Sequence, residues 1–302
     1  MRAQRQHLKP AVLAAAVVLA GAANAATPGS AAYYERALMR AADARCHLFT
    51  PATGSALAAA EAQARGAALR AGATNAGLRV LAAQASAKQA GLPCNSKDLA
   101  VATARVRGAF DGYSRLIRMT FPGDDVAWQA DRTLPTHTPI WRLSQPTAAG
   151  ANRVIFGLAG DYDHPTQLLA VGDFGPGETP YAAQLMVRDV SRAPEPYLQA
   201  VSVAVWARLP LTERAPPRSA VLAFTAEARE DADKSLLPKG SASGMAFRFP
   251  VAAAQALAGL DPREAVTLVF LVQDRSGARA RRAYVEVGDF AAGQAFLAAA
   301  RR

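Results

Sequence analysis

Apolar residues in the first third of the chain recur every three to four positions, which is the spacing of one buried helix face. This period holds from about residue 30 to residue 118 and predicts four helices. Ser30 and Ser96 are expected to be N-caps, because a serine hydroxyl accepts a hydrogen bond from a free amide at the start of a helix. Gly72 and Gly91 are expected to end the second and third helices. The predicted helices span residues 30–45, 55–71, 74–90 and 96–117.

Beyond about residue 126 the apolar period changes to two, which is typical of strands with one buried face. Proline and glycine clusters separate the short apolar runs and favour tight turns between them. Two short helices are expected near the end of the chain, at residues 251–260 and 291–302. The nine predicted strands span residues 140–143, 153–158, 167–171, 183–190, 199–209, 220–229, 245–249, 266–273 and 282–287.

The two periods together predict an α+β fold with two domains. Residues 26–120 are expected to form an alanine-rich antiparallel bundle of four helices. Residues 121–302 are expected to form a mostly antiparallel, β-rich domain that resembles a sandwich and carries a C-terminal helix. No motif in the chain is specific enough to indicate a family.

The first 25 residues have the pattern of a secretory signal peptide. Three of the first nine residues are Arg or Lys, residues 11–20 are all apolar, and Ala23-Asn24-Ala25 fits a cleavage site. The apolar run is too short to span a membrane, which takes about 20 residues. The sequence therefore predicts an exported, soluble chain that begins near residue 26 and is periplasmic or secreted, without a transmembrane segment.

The two cysteines of the sequence, Cys46 and Cys94, are expected to form a disulfide, because an exported protein folds in an oxidising compartment. In an up-down-up-down bundle the end of the first helix lies beside the start of the fourth, and the two cysteines fall at those places. The alternative is a catalytic or metal-binding thiol, but the pair lacks the C-x-x-C spacing of redox and zinc sites.

Charge separates the two predicted domains. The chain of 302 residues is 51% apolar and has a formal net charge of +10, and its mean hydropathy of +0.03 excludes a disordered chain. Residues 26–118 hold 12 basic and 5 acidic residues, a net charge of +7, whereas residues 119–302 hold 19 of each. Export argues against nucleic acid as a partner, so an envelope protein or an anionic envelope polymer is expected instead. Arg107, Arg115 and Arg118 are the candidate anion-binding residues, with a solvent-facing ion-pair ladder as the alternative.

A cluster of carboxylates and a histidine is the candidate for chemistry. Asp161, Asp163 and His164 follow one predicted strand and Asp173 ends the next. Such groups could bind a divalent metal or act as an acid–base pair. The alternative is a hairpin turn, since Asp and the neighbouring Gly and Pro are all turn formers.

The sequence lacks a G-x-S-x-G elbow, an H-E-x-x-H pair, a P-loop and a dinucleotide-binding glycine pattern. It therefore favours a non-catalytic binding or assembly module of the cell envelope, for which no cofactor is expected. A metal-assisted hydrolase that uses the Asp/His cluster is the alternative.

A short internal echo links two strand ends. Val171-Gly172-Asp173-Phe174 recurs as Val287-Gly288-Asp289-Phe290, each followed by a glycine three residues later. The two aspartates could be paired ligands at one sheet edge, turn residues that bond backbone amides, or remnants of a duplication.

Overall fold

A computed structural model of the chain describes residues 28–197, 202–206 and 208–298. The predicted signal peptide lies outside the described residues, as do the end of the predicted last helix, positions 299–302, and positions 199–201 and 207 of one predicted strand. Within the described ranges no helix is long and apolar enough to cross a membrane.

Four helices make up the N-terminal part of the chain, which confirms the prediction from the apolar period. The second, third and fourth helices begin at side-chain caps, in which Thr50, Thr74 and Ser96 each accept a hydrogen bond from a backbone amide three residues ahead. Ser30 is not a cap, because the first helix already includes Pro28 in its first turn, where the fixed φ of proline suits a helix. The helices are α1 (Pro28–Cys46), α2 (Pro51–Arg70), α3 (Asn75–Ala90) and α4 (Lys97–Ser114).

The disulfide between Cys46 and Cys94 is confirmed, with 5.7 Å between the two Cα atoms. It joins the end of α1 to the segment that precedes α4, as the bundle topology predicts. Helix α1 packs against α2 and α3, and α2 packs against α4. The guanidinium of Arg45 adds hydrogen bonds to the carbonyl oxygens of Ala90 and Leu92, which hold the end of α3 in the same place.

Two antiparallel sheets follow the helices. The larger has the strand order β1-β2-β3-β4-β5-β9-β8 and the smaller the order β11-β10-β6-β7. The strands are β1 (Arg118–Phe121), β2 (Trp128–Asp131), β3 (Ile140–Ala149), β4 (Asn152–Gly160), β5 (Gln167–Asp173), β6 (Thr179–Arg188), β7 (Val221–Thr225), β8 (Ala228–Asp231), β9 (Met245–Phe249), β10 (Ala265–Asp274) and β11 (Gly277–Glu286). The remaining α-helices are α5 (Val203–Trp206), α6 (Leu211–Arg214), α7 (Val251–Gly259) and α8 (Phe290–Ala298), and 3-10 turns span Arg218–Ala220 and Lys234–Leu236.

Two strand predictions are wrong. The predicted strand 199–209 contains the short helix α5, in which Trp206 is buried and Val205 is half exposed, so its alternating valines did not mark a buried strand face. The predicted strand 220–229 is two strands in different sheets, since β7 pairs with β6 and β8 pairs with β9.

The main core lies between the two sheets and includes α7 and α8. Phe156 and Phe247 of the larger sheet pack in the same cluster as Leu268 and Phe270 of the smaller one. Helix α2 reaches this core as well, because its Ala59 belongs to the cluster and the helix packs along α8. The division of the chain near residue 120 remains a prediction.

Candidate functional site

The predicted Asp/His cluster lies in the loop between β4 and β5. Asp161 accepts hydrogen bonds from the backbone amides of Asp163 and His164, at 2.8 and 2.7 Å, and its Oδ1 lies 2.9 Å from Nδ1 of His164. The carboxylate of Asp163 contacts a different histidine: its Oδ2 lies 2.7 Å from Nδ1 of His137. The contacts of Asp161 are those of a hydrogen-bonded turn, and the contact of Asp163 joins this turn to the loop that carries His137.

Asp173 does not lie with these residues. In the antiparallel pair of β4 and β5, Asp173 is opposite Arg153, whereas the predicted loop joins the other end of the two strands, beyond Gln167. Six residues of strand span about 20 Å. Asp173 instead accepts from Arg153 at 2.9 Å and from the Ser241 hydroxyl at 2.7 Å. Across the described ranges, no group of three or more His, Cys, Asp or Glu residues is arranged to hold a metal ion.

The loop forms one rim of a groove of about 960 Å³. The ends of β4, β5 and β9 form its floor, and α7 and α8 form the opposite wall. Leu134, Tyr162 and Val251 line it and are the most exposed large apolar side chains of the described residues, at 74%, 70% and 74%. Apolar side chains gathered in a concave surface are typical of binding sites.

A β-bulge places Arg142 in this groove. Trp141 is opposite Ala159 and Leu143 is opposite Leu158, so Arg142 is the extra residue of β3. A bulge turns a side chain away from the regular alternation of a strand. The close approach of β4 at this point requires Gly157, because a Cβ there would lie 1.9 Å from the carbonyl oxygen of Leu143.

The guanidinium of Arg142 is buried without a carboxylate partner. The residue is only 8% exposed, and its side chain donates one hydrogen bond, from Nη1 to the carbonyl oxygen of Thr133. Burial lowers the pKa of Arg142, although the charge of Asp131 acts in the opposite direction. No carboxylate oxygen of the described residues lies within 4.0 Å of the guanidinium. The groove therefore holds an arginine whose charge is not balanced by direct contact.

The three arginines predicted to bind anions do not form one group. Arg115 pairs with Asp111 on the same helix, which is the ion-pair ladder considered as the alternative, and Arg118 pairs with Asp131 at 2.9 Å. Arg107 donates instead to the carbonyl oxygen of Leu48 at 2.6 Å, which places it at the disulfide end of the bundle.

That end of the bundle carries a set of basic residues, here called the cationic corner: Arg45, Lys88, Lys97 and Arg107. All four are exposed, and none forms an ion pair with a described residue. The disulfide and the hydrogen bonds of Arg45 and Arg107 bring together the chain segments that carry them. Three acids lie within four residues of a corner residue: Asp43, which accepts from the backbone amide of Phe49, Asp98, and Asp111, which pairs with Arg115. The corner therefore has an excess of positive charge.

A buried ionic network lies where the bundle meets the sheets. Arg70 of α2 pairs with Asp289 at 2.9 Å, and Asn75 donates to Asp261 at 3.0 Å. The Asp289 side chain is 2% exposed. A Cβ at position 66 would lie 2.5 Å from its Oδ1, so the carboxylate can pack against α2 only because residue 66 is glycine. Sequence reasoning noted Asp289 only as part of the Gly-Asp-Phe echo. Because Asp173 and Asp289 have different partners, the echo does not mark a shared site.

Asp289 is expected to make stability depend on pH. Burial raises its pKa to about 6, against the opposing effect of Arg70. A folded-state pKa above the unfolded value means that the folded state binds the proton more tightly, so this contribution to stability is present at acid pH and is lost as pH rises from about 4 to about 6. The unfolding free energy of the native chain minus that of Asp289→Asn should therefore fall by about 2 kcal/mol between about pH 4 and pH 7.

Urea unfolding of both chains at constant ionic strength measures this difference. The loss of the Arg70 contact adds an offset that does not change with pH, because arginine stays protonated throughout this range. A difference that is flat with pH would contradict the prediction.

Comparison of the chain with models of protein families, with curated proteins and with solved structures gave no match.

Proposed function

We propose that this protein is an exported, soluble binding module of the cell envelope, without catalytic activity, that holds an anionic envelope polymer at the cationic corner. The observation that carries the proposal is that four exposed basic side chains of α1, α3 and α4 lie at the disulfide end and form no ion pair with a carboxylate of the described residues. Export and location in the periplasm or outside the cell are part of the proposal and rest on the pattern of the first 25 residues.

Free cations and paired cations contribute differently to binding a polyanion. A cation that already contacts a carboxylate, as Arg115 and Arg118 do, must give up that contact before it attracts a phosphate. The cations of the corner have no such contact to lose. The disulfide holds their segments together, so less conformational freedom is lost on binding.

A charge reversal tests the corner. Lys88→Glu with Lys97→Glu should weaken binding to purified lipopolysaccharide roughly tenfold, since each exposed charge pair contributes about 0.2–1 kcal/mol. Both side chains are exposed on the bundle surface, so the fold should remain intact. Binding is measured by retention on lipopolysaccharide vesicles at about 50 mM and about 500 mM salt, because salt screens contacts between exposed charges.

The matched control is Lys234→Glu with Lys239→Glu. These lysines are also exposed and change the net charge by the same amount, but they lie in the β-rich region. The control should bind like the native chain. Equal retention at both salt concentrations, or an equal loss in the control, would show that the corner is not the binding surface.

The metal-assisted hydrolase receives no support from the described residues. Asp161 contacts His164 within a turn, Asp163 contacts His137 of another loop, and the strand register places Asp173 at the opposite end of β5.

A further inference from the structure

The groove beside the β4–β5 loop is a separate surface from the cationic corner. It lies in the β-rich region, between α7, α8 and the ends of three strands, and none of the four corner residues lines it. Its volume of about 960 Å³ is within the range of pockets that bury small molecules, about 300–1,000 Å³.

The wall of the groove is apolar where a ligand would lie. Leu158, Leu168 and Phe249 come from the floor, and Val251 and Leu297 from the two helices. Val251, the first residue of α7, is 74% exposed. Its apolar side chain therefore faces the open groove and contributes little buried area to the fold. An apolar ligand would cover it.

The polar groups that line the groove carry both signs of charge. The carboxylates of Asp161 and Asp163 contact His164 and His137, and no group of three or more His, Cys, Asp or Glu residues among the described residues is arranged to hold a metal ion. Glu227 and Arg248 both line the groove and carry opposite charges. Arg142 remains, with a buried guanidinium that has donors to spare and no carboxylate in contact. A buried cation of this kind is stabilised by an anion.

We propose that the groove binds an anionic amphiphile, with its acidic headgroup at Arg142 and a single hydrocarbon chain along the apolar wall. A neutral apolar ligand would leave Arg142 without an anionic partner. An anionic amphiphile would supply both what Arg142 lacks, an anionic partner, and what the exposed apolar side chains lack, an apolar surface to cover them.

Laurate is the probe, and dodecanol is the uncharged comparison, with both titrated below their aggregation limits by displacement of a fluorescent fatty acid. The native chain should bind laurate at least tenfold more tightly than dodecanol. Arg142→Met keeps the length of the side chain and removes its charge, so laurate binding should fall at least tenfold while dodecanol binding stays the same.

A second variant tests the apolar wall without touching a buried residue. Val251→Asp should weaken both ligands at least fivefold, because it places a carboxylate beside the hydrocarbon chain. Its matched control is Val80→Asp, at a valine that is 56% exposed on α3 and does not line the groove, and this variant should bind like the native chain. Lys88→Glu with Lys97→Glu should leave laurate binding unchanged, which separates this proposal from the one on the cationic corner.

Equal binding of laurate and dodecanol by the native chain would overturn the proposal. So would unchanged laurate binding in Arg142→Met or in Val251→Asp, or no laurate binding at all.

Discussion

Replacement of Arg188 by methionine is expected to lower the free energy of unfolding by about 3–5 kcal/mol. Arg188 ends β6, and its guanidinium makes two hydrogen bonds to Glu264, at 2.7 and 2.9 Å. The side chains are 2% and 0% exposed, so water does not replace a lost partner. Methionine would fill the space but leave the carboxylate of Glu264 buried without its cation.

The loss of stability is expected to depend on pH, because burial and Arg188 act in opposite directions on the pKa of Glu264. Burial raises the pKa of this carboxyl, and Arg188 acts to lower it. Without Arg188 the carboxyl should take up a proton more readily, so part of the loss should be recovered at acid pH. Guanidinium chloride unfolding at neutral and acid pH measures both quantities.

Two controls separate the buried charge from the loss of packing. Arg188→Met with Glu264→Gln removes both charges but keeps an oxygen that can accept from the Asp261 amide, and it should regain more than half of the lost stability. Arg118→Met breaks the exposed pair with Asp131 and should cost less than about 1 kcal/mol. A double variant as unstable as the single one would show that the effect is one of packing.

Removal of the disulfide is expected to lower the free energy of unfolding by about 4 kcal/mol, as the chain-entropy model gives for a loop of this length. The disulfide joins two residues that are 48 positions apart in the sequence, and replacement of Cys46 and Cys94 by alanine removes this cross-link. The unfolded chain then gains conformations that the bridge had excluded. Urea unfolding of the double variant without reductant measures the loss.

The native chain in reductant is the control for this variant. If the bridge acts through the unfolded chain, the reduced native protein and the alanine variant should have the same unfolding free energy. A loss below about 1 kcal/mol in both would mean that the bridge constrains little of the unfolded chain.

Local patterns predicted the helices well because a helix carries its own signals. The period of the apolar residues lies within each helix and the cap Ser96 lies next to the helix that it begins, whereas the other predicted cap, Ser30, was wrong. The disulfide followed from the even number of cysteines, the expected oxidising compartment and the order of the helices. Strands β1 and β2 were missed although both alternate polar and apolar residues, because four residues are too few to establish a period of two.

The candidate sites show where sequence reasoning reaches its limit. Asp161, Asp163 and His164 were found because they are neighbours in the chain, and they do lie on the rim of the groove. Asp173 was grouped with them, although two strands joined by a hairpin turn place it at the opposite end. Arg142 was missed because its position depends on a bulge, which results from pairing with β4 and has no signature in β3 alone. Tyr162, an aromatic residue between two turn-forming aspartates, was the one available signal.

The contact between α2 and α8 affects the order in which the chain can fold. Arg70 and Asp289 are 219 residues apart in the sequence, and the closure of so long a loop is slow compared with the formation of a local helix pair. Helices α1 to α4 are synthesised first, but the face of α2 that contacts α8 has no partner until α8 has been synthesised after the last strand. A bundle that forms early exposes this face of α2 to solvent until α8 packs on it. Exposed apolar surface of this kind in a folding intermediate is what chaperones bind.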